Sequence, residues 1–443
     1  MPGSYPDLTS RSAELYSRGR RVIPDGASRS TVLIRPHPIY VESGDGAWVT
    51  DVDGNRYLDC NNNFTSIILG HGDPTIASAV RKQLDLGTAF SLASETEIAL
   101  AELLMDRMRA ADQVRFCNSG TEAVMGAIKA ARAFTGRPMI VKVEGSYHGT
   151  YDHAEASLGS DPSNWGAAAA PETVVYSEGA PDTIADEVAV IPFNDAEAAD
   201  VIIRRCGDRL AGVLVDLMPS RVGMPAVDPE FIEAFVTAAH DVGALVILDE
   251  VITFRLAPGG AQSLYGVEPD LTALGKIIGG GFPVGAVAGR AEVMSVFEAV
   301  NGARAAVPSG GTYTANPVTM TAGLACMHQL TGDAFDRLDQ IGENVRSGLR
   351  SVFAASGLRW QVTGAGSLFR IHPHDRQVRS YREAHHTSDE SATMEALQQR
   401  LLEGEVYFSS YGMGCMNLAT SDADVAHLLQ SVQSALGRLD LAG

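Results

Sequence analysis

Cysteine, positive charge and long hydrophobic runs are all scarce in this 443-residue sequence. The five cysteines are dispersed and form no C-x-x-C pair, so we predict neither a zinc–thiolate site nor a disulfide framework. Acidic residues outnumber basic ones by 54 to 34, and the net charge of −20 disfavours nucleic acid and anionic membranes as partners. No run approaches about 18 apolar residues, and no signal segment opens the chain, so we expect a cytoplasmic protein.

The order of apolar runs predicts an α/β fold. Residues 38–60 alternate apolar and polar side chains around glycine turns, as in a small antiparallel sheet. From about 75 to 325, helical periods alternate with six nearly continuous apolar runs, which is typical of a mainly parallel sheet between helices. These runs are "VRFC" (114–117), "MIVKV" (139–143), "GVLVDL" (212–217), "ALVILDE" (244–250), "DLTALG" (270–275) and "VGAVAG" (284–289). We expect a large domain at 61–324 built on this sheet, and a smaller α+β domain built from 1–60 and 325–443 together.

A first candidate site lies in "FCNSGTEAVMG", where a strand is followed by a helix that opens at Ser119, Gly120 and Thr121. Backbone N–H groups, two hydroxyls and the positive end of a helix dipole converge there, which predicts a seat for a phosphate or another anion. The alternative is that Ser119 is only the cap of the helix.

Two further strand ends carry charge. In "GALVILDEV" an apolar strand delivers Asp249, and a buried carboxylate requires a positive partner, which could be a structural arginine. In "ALGKIIGGGFPVGA" a strand ends at Lys276, followed by Gly279–Gly281. A P-loop is excluded because Asp270 and Ile277 occupy its glycine and Ser/Thr positions. The lysine could be an ordinary surface residue, or it could form a Schiff base in space left by the glycines.

Together, a phosphate seat, a strand-end acid and a lysine in this chain order indicate pyridoxal phosphate, because these three parts hold its phosphate, its ring nitrogen and its aldehyde. The segments "NSGTEA", "GSYHG", "LDEV" and "LGKIIGGGFPVGA" also resemble those of class III, fold-type I pyridoxal-phosphate aminotransferases. The resemblance extends from about residue 15 to the C-terminus, and it implies a mainly parallel, seven-stranded sheet in the large domain.

This resemblance implies a role for each matched residue. Lys276 would form the Schiff base and move protons, Asp249 would pair with the pyridinium nitrogen, and Tyr147 would stack on the ring. Ser119, Gly120 and Thr121 would hold the phosphate. Thr312 in "SGGTYTANP" would reach the phosphate of a neighbouring subunit, so the family implies a homodimer with shared active sites.

Within the class, the chain resembles the branch of glutamate-1-semialdehyde 2,1-aminomutases and β-phenylalanine-type aminotransferases. The mutase-like gating motif is absent from 156–174, and "RLAPGG" and "GASRS" resemble the β-amino-acid enzymes. We therefore expect a transaminase that acts on a carboxylate-bearing donor, with β-amino acids among the candidates, and a keto acid; the alternative is a mutase-type isomerase.

Three residues are the candidates for substrate binding. Arg29 and Arg221 are expected to bind carboxylate, although Arg221 could instead pair with Asp216, and Tyr411 stands where the β-phenylalanine enzymes carry a second arginine. His148 and Glu144 are expected only to shape the turn around Tyr147.

Four histidines near the C-terminal third carry a separate prediction. They are His372, His374, His385 and His386. Their spacing matches no common ligand set and the surrounding stretch is polar, so we predict an exposed mobile loop and no metal site.

Overall fold

The computed structural model describes residues 5–300 and 302–439. The strands are β1 (Val41–Asp45), β2 (Trp48–Asp51), β3 (Arg56–Asp59), β4 (Gln113–Cys117), β5 (Met139–Val143), β6 (Gly166–Ala167), β7 (Ala170–Pro171), β8 (Val188–Ile191), β9 (Leu210–Val215), β10 (Leu245–Asp249), β11 (Leu271–Gly275), β12 (Gly285–Gly289), β13 (Gln361–Thr363), β14 (Leu368–His372), β15 (Val406–Tyr407) and β16 (Met413–Cys415).

The helical segments are α1 (Arg11–Gly19), α2 (Asn62–Thr65), α3 (Pro74–Leu86), α4 (Glu95–Met105), α5 (Gly120–Thr135), α6 (Asp152–Glu155), α7 (Ile184–Glu187), α8 (Ala196–Cys206), α9 (Pro229–Asp241), α10 (Gly260–Tyr265), α11 (Ala291–Met294), α12 (Pro317–Gln329), α13 (Gly332–Ala355), α14 (Tyr381–Ala384), α15 (Ser388–Glu403) and α16 (Asp422–Leu436). Short 3-10 turns at Ser220–Val222 and Lys276–Gly279 lie beside the candidate site.

A seven-stranded sheet with the order β4-β12-β11-β10-β9-β5-β8 forms the centre of the molecule. β12 runs antiparallel to both of its neighbours, and the other pairs are parallel. The prediction of a mainly parallel, seven-stranded sheet is therefore confirmed. Within it, Asp249 lies opposite Ala273, three residues before Lys276, so the acid and the lysine leave the same edge of the sheet on adjacent strands.

Both faces of this sheet are covered, which explains its continuous apolar strands. Val246 and Leu248 of β10 belong to a core cluster with α8 and α9, whereas Leu245 and Ile247 belong to a second cluster with α5. Because side chains alternate along a strand, each strand contributes to both clusters. This packing fixes the sheet, and the polar side chains remain at the strand ends.

Two smaller sheets have the orders β1-β2-β3-β15 and β13-β14-β16. β15 pairs in parallel with β3, with Val406 opposite Leu58, so segments near the two chain ends share one sheet. The boundaries 1–60, 61–324 and 325–443 stay a prediction. Across the described ranges, 5–300 and 302–439, no helix is both long and apolar enough to cross a membrane.

Candidate active site

Lys276 follows β11 directly and has a φ of 49°, in the left-handed region that non-glycine residues rarely adopt. The following glycines serve packing: a Cβ on Gly279 would come within 2.5 Å of Val284 Cγ1, and one on Gly280 within 2.3 Å of the Ala322 carbonyl oxygen. The glycine run thus lets the lysine turn lie directly against α12. This finding replaces the expectation that the glycines leave open space around the lysine.

The lysine is partly buried and lies near two acidic residues. Burial lowers the pKa of Lys276 to about 8, although the carboxylates of Asp249 and Asp216 act in the opposite direction. Burial, reinforced by the charge of Asp249, raises the pKa of Asp216 well above its ordinary value. A substantial fraction of Lys276 is consequently neutral near physiological pH, and the neutral amine is the form that attacks a carbonyl.

Asp249 is held by a histidine that follows β5. Nδ1 of His148 lies 2.7 Å from Oδ2 of Asp249, and Oδ1 accepts from the Val251 N–H at 3.0 Å. Since a carboxylate only accepts when ionised, Nδ1 carries the proton of this bond. The interpretation of His148 as a turn residue was incomplete: the signal was its place beside Tyr147 in "GSYHG", at the carboxyl end of a sheet strand.

The three residues of the predicted phosphate seat lie at the start of α5, and their role toward a phosphate stays a prediction. Ser119 is the cap of this 16-residue helix, and its Oγ accepts from the Glu122 N–H at 3.1 Å. The Thr121 Oγ1 accepts from the Thr150 N–H at 3.3 Å. A Cβ on Gly120 would come within 2.9 Å of Val251, next to Glu250 and Asp249. The first-turn N–H groups of α5 thus lie close to the strand that carries Asp249.

Tyr147 is 45% exposed and follows a loop that a buried lysine holds in place. Lys142 Nζ donates to the carbonyls of Val143, Ser146 and Ala156 at 2.7–3.2 Å, and burial lowers the pKa of Lys142 to about 7. The sequence analysis did not single out Lys142, because "MIVKV" resembles an ordinary buried strand. Its three backbone acceptors define the path of the chain up to Tyr147.

Glu144 has a structural partner in the C-terminal part of the chain. Both of its carboxylate oxygens accept from Arg382, each at 3.0 Å, and Arg382 also donates to the carbonyls of Trp165, Gly166 and Ala167. The guanidinium lies 4.8 Å from the centre of the Trp165 ring. Arg382 therefore fixes the hairpin β6–β7, which lies inside the segment 156–174.

Arg29 is exposed and contacts a strained segment. Its Nη1 donates to Asn63 Oδ1 at 2.7 Å, and its guanidinium lies 5.2 Å from the centre of the Phe64 ring. All four residues of α2 have φ between 49° and 72°, so this turn is left-handed although it contains no glycine. Such conformations cost about 1–2 kcal/mol per residue and are retained mostly at functional sites.

Arg221 lies on the exposed side of the 3-10 turn Ser220–Val222. It forms no ion pair with any residue of 5–300 or 302–439, and Asp216 instead accepts from the Met218 N–H at 2.9 Å. The charge of Arg221 lowers the pKa of both Tyr147 and Tyr411 against the larger raising effect of burial. The guanidinium of Arg221 thus lies close enough to both tyrosines to act on them electrostatically.

A further arginine, Arg370 of β14, was missed by the sequence analysis. Its guanidinium is buried, donates to the Ser220 carbonyl at 2.6 Å and lies 5.7 Å from the centre of the Tyr411 ring. Burial lowers the pKa of Arg370 to about 10, so it stays a cation at neutral pH. It supports the turn of Arg221 and supplies positive charge beside Tyr411, where an arginine was expected in the related enzymes.

Thr312 is exposed in a turn of residues 312–315. The turn contacts the residue before Ser119: Nδ2 of Asn118 donates to Oγ1 of Thr314 at 3.2 Å. Thr312 therefore lies in a turn that adjoins the predicted phosphate seat. Its role toward a second subunit stays a prediction.

The prediction for the histidine cluster was wrong about exposure. His372 is completely buried and His374 is 8% exposed, while His385 and His386 are partly buried. His372 is the last residue of β14, and His385 packs edge-on against Trp165 at 5.4 Å between ring centres. The polar sequence was misleading because its charged residues are engaged locally: Arg376, for example, binds both oxygens of Glu390 at 2.6 and 2.8 Å.

The side chains present fit pyridoxal phosphate. Lys276 has a lowered pKa, Asp249 is fixed by a histidine, and the N-terminus of α5 supplies N–H donors. The buried Nε2 of His148 makes no hydrogen bond to a described residue, which leaves one polar atom beside Asp249 without a partner there. These groups match the aldehyde, the ring nitrogen and the phosphate of the cofactor.

Comparison with known proteins agrees with this geometry. The family model of class III aminotransferases matches residues 31–436. A glutamate-1-semialdehyde 2,1-aminomutase from Methanothermobacter thermautotrophicus is 40% identical over 377 residues, which are 84% of this chain and 86% of the relative.

Two solved structures are similar along nearly the whole chain. An omega-transaminase from Sphaerobacter thermophilus is 45% identical, with a TM-score of 0.95 and 98% of each chain covered. A β-phenylalanine aminotransferase from Variovorax paradoxus is 35% identical, with a TM-score of 0.85, covering 96% of this chain and 93% of its own.

The site and the fold thus define a fold-type I enzyme that depends on pyridoxal phosphate. This chain belongs to the class III aminotransferases.

Proposed function

We propose that this enzyme is a transaminase that transfers an amino group from a carboxylate-bearing donor, with β-amino acids as the leading class, to a keto acid. The observation that carries the proposal is the combination of Lys276 and the histidine-held Asp249 with Arg221, an arginine without an ion-pair partner among the described residues. The structural similarity to an omega-transaminase and to a β-phenylalanine aminotransferase supports it.

Each side chain has a distinct task. When bound, pyridoxal phosphate supplies an electron-accepting ring that stabilises negative charge on the substrate carbon. Lys276 would hold the cofactor aldehyde and move a proton at its Nζ. Asp249 would pair with the protonated ring nitrogen, and His148 orients the carboxylate of Asp249. Tyr147 covers the ring, and Ser119, Gly120 and Thr121 hold the phosphate at the N-terminus of α5.

Substrate recognition is assigned to the positive side of the pocket. Arg221 binds the donor or acceptor carboxylate, because a guanidinium presents two parallel N–H donors to it. Arg29 offers a second cation held by Asn63 and Phe64. Tyr411 forms part of the pocket wall, and its ring lies against the guanidinium of Arg370. The buried charge of Arg370 takes the place of the second arginine that is expected in the related enzymes.

A mutase is the second candidate, and the 40% identity to a glutamate-1-semialdehyde 2,1-aminomutase favours it. The two activities differ in stoichiometry, since a mutase returns the amino group to the same carbon skeleton and requires no second substrate. The missing gating motif at 156–174 and the anchoring of this segment by Arg382 support the transaminase.

The deciding experiment is a panel of amino donors followed through the half-reaction. Purified holoenzyme is mixed with α-amino acids, β-amino acids, simple amines and glutamate-1-semialdehyde, and the conversion of the cofactor to its amine form is recorded by absorbance. A transaminase releases at most one keto product per site in this half-reaction, and it turns over further only when a keto acid is added, which it consumes in equal amount. Isomerisation of glutamate-1-semialdehyde without any keto acid would instead establish the mutase.

We also propose that the enzyme works as a homodimer in the cytoplasm. Large apolar side chains are exposed along one continuous stretch, namely Leu84, Leu86, Phe90, Leu92 and Ile98, with exposures between 50% and 84%. Exposed apolar patches of this kind are typical of association surfaces. Light scattering coupled to size exclusion tests this, and a monomeric mass in the active fraction would contradict it.

A further inference from the structure

Three histidines outside the cofactor pocket form a compact cluster. One ring nitrogen from each of His372, His374 and His386 can be chosen so that all three lie within 4.8 Å of one another. The ring centres form a nearly equilateral triangle with sides of 5.6, 6.1 and 6.2 Å. Tetrahedral zinc with nitrogen ligands at 2.0–2.1 Å requires nitrogens about 3.4 Å apart, so small side-chain rotations would bring the three to that spacing.

The unsatisfied nitrogens of the cluster indicate what it lacks. Nδ1 of His372, both ring nitrogens of His374 and Nε2 of His386 are buried and make no hydrogen bond to a described residue. Buried polar atoms are rarely left without a partner, because the cost of removing them from water is then not offset. Four such atoms in one cluster point to a missing common partner.

His372 is oriented as a ligand. Its Nε2 lies 3.1 Å from the carbonyl oxygen of Gly223 and 3.0 Å from the hydroxyl oxygen of Thr363. The Thr363 hydroxyl donates to the same Gly223 carbonyl. Since the hydroxyl proton goes to the carbonyl, Nε2 must be the donor, and the lone pair of the ring is on the buried Nδ1. Metal-binding histidines commonly donate their second N–H to a carbonyl in this way.

The charges around the cluster also act on a bound ion. The guanidinium groups of Arg370 and Arg376 lie close enough to the three rings to act on them electrostatically. The same guanidinium charges weaken the binding of a dication, and the Glu390 carboxylate offsets them in part, so the affinity should be moderate for a site with three histidines.

From this geometry we infer that His372, His374 and His386 bind one divalent transition-metal ion, with zinc as the leading candidate and a water molecule as the fourth ligand. Neutral imidazoles suit zinc, copper, cobalt and nickel rather than magnesium or calcium, which prefer oxygen. The inference contradicts the sequence-based expectation of no metal site. It holds whether the enzyme is a transaminase or a mutase.

The position of the cluster gives the ion a structural task. His372 is tied to Gly223, two residues after Arg221, and His386 follows His385, which packs on Trp165 of the segment 156–174. A bound ion would join the end of β14 to the segment before α15. It would thereby hold two walls of the substrate pocket without contacting the cofactor residues.

The test uses tag-free holoenzyme, stripped with a chelating resin, dialysed against zinc sulfate and analysed for bound metal. One zinc per chain with a Kd of about 1 μM or tighter is expected. Cobalt(II) should give the visible absorption bands of a tetrahedral ion, at wavelengths longer than those of the cofactor. Zinc should raise the melting temperature of the stripped enzyme by several degrees.

Variants of the three-histidine cluster distinguish zinc bound there from zinc bound adventitiously elsewhere. His374→Ala and His386→Ala should each weaken zinc binding by about 100-fold or more and abolish the cobalt bands. His328→Ala, which changes an exposed histidine on α12, is the matched control and should bind like the wild type. If a triad variant fails to fold, His374→Gln, which keeps the polarity and much of the volume, replaces it.

Two results would overturn the inference. One is the absence of stoichiometric zinc at concentrations up to about 100 μM, which would mean that water alone fills the cluster. The other is stoichiometric binding that His374→Ala, His374→Gln and His386→Ala leave unchanged, which would place the ion elsewhere. Both readouts are independent of turnover.

Discussion

Nδ1 of His148 lies 2.7 Å from Oδ2 of Asp249, with both side chains buried. Burial lowers the pKa of His148, although the bond to Asp249 opposes this effect. The histidine thus donates from a neutral ring and fixes the carboxylate without neutralising it. The acid that is expected to meet the cofactor ring nitrogen is therefore oriented by a second residue.

This relationship predicts the effect of His148→Ala. The variant should still bind the cofactor at Lys276, but kcat should fall about 10- to 100-fold, because loss of a hydrogen bond to a buried charged group costs about 1–3 kcal/mol. Steady-state assays measure kcat, and half-reaction spectra show whether the cofactor is bound and how fast it is converted. His148→Gln can still donate from its amide and should recover part of the rate. Equal loss in both variants, accompanied by loss of bound cofactor, would indicate a merely structural histidine.

Lys276→Ala should abolish turnover, because no other residue has been placed to hold the cofactor aldehyde. Borohydride treatment of the wild type should attach the cofactor covalently to the peptide that contains Lys276, and mass spectrometry should find no such adduct in the variant. The control is Lys129→Ala, which changes an exposed lysine. Lys142→Ala is unsuitable because Lys142 holds the loop that precedes Tyr147. A borohydride adduct on another lysine of the wild type in place of Lys276 would refute the assignment.

The central sheet could be predicted from the sequence because its strands are buried on both faces. "MIVKV" and "VGAVAG" differ from β5 and β12 by no more than one residue. β8 was missed because "VAVI" is only four residues long and follows the short helix α7 without a turn signal. Its strand character comes from pairing with β5, a contact that the local pattern does not contain.

The candidate site was predictable only in part, for a related reason. Lys276, Asp249 and Ser119 lie at the ends of apolar strands, where a polar residue is conspicuous. Arg370 and Lys142 lie inside strands, so the pattern gave them no distinct signal, and their roles depend on partners 150 and 14 residues away in the chain. The histidine-rich segment was expected to be exposed for the same reason. It is buried by residues that are distant in sequence, such as Gly223 beside His372 and Trp165 beside His385.

The lowered pKa of Lys276 predicts how the apoenzyme takes up its cofactor. With a pKa of about 8, the neutral fraction of the amine rises about fivefold from pH 7 to pH 8 and less than twofold from pH 8 to pH 9. The initial rate of reconstitution should follow this curve. Stopped-flow absorbance measures it, and a rate still rising tenfold per pH unit above pH 9 would show an ordinary lysine.

The same shift affects the stability of the apoenzyme. Between about pH 8 and the ordinary lysine pKa of 10.5, the unfolded chain binds more protons at this position than the folded one. The contribution of Lys276 to the free energy of unfolding therefore increases as the pH rises through this window. Thermal melts of the apoenzyme should show that increase, and Lys276→Met should remove this part of the pH dependence.

Arg221→Ala should raise KM for carboxylate substrates about 10- to 100-fold, since a bidentate guanidinium–carboxylate bond contributes about 1.5–3 kcal/mol. The absorbance of the bound cofactor should not change. Arg29→Ala tested with the same donors shows which arginine binds which substrate, and Arg205→Ala on the exposed side of α8 is the control. Unchanged kinetics in both pocket variants would remove the arginines from substrate binding.

Arg382 gives the clearest prediction about stability. Arg382→Ala leaves the buried Glu144 carboxylate without its partner, at a cost of about 3–5 kcal/mol, and releases three carbonyls of the hairpin β6–β7. Arg204→Ala, which breaks the surface ion pairs with Asp200 and Asp241, should cost about 1 kcal/mol or less. Glu144→Gln added to Arg382→Ala should recover much of the loss, because a neutral amide replaces an unpaired charge. If the double variant melts no higher than Arg382→Ala, the anchoring of the hairpin, rather than the ion pair, determines the stability of this region.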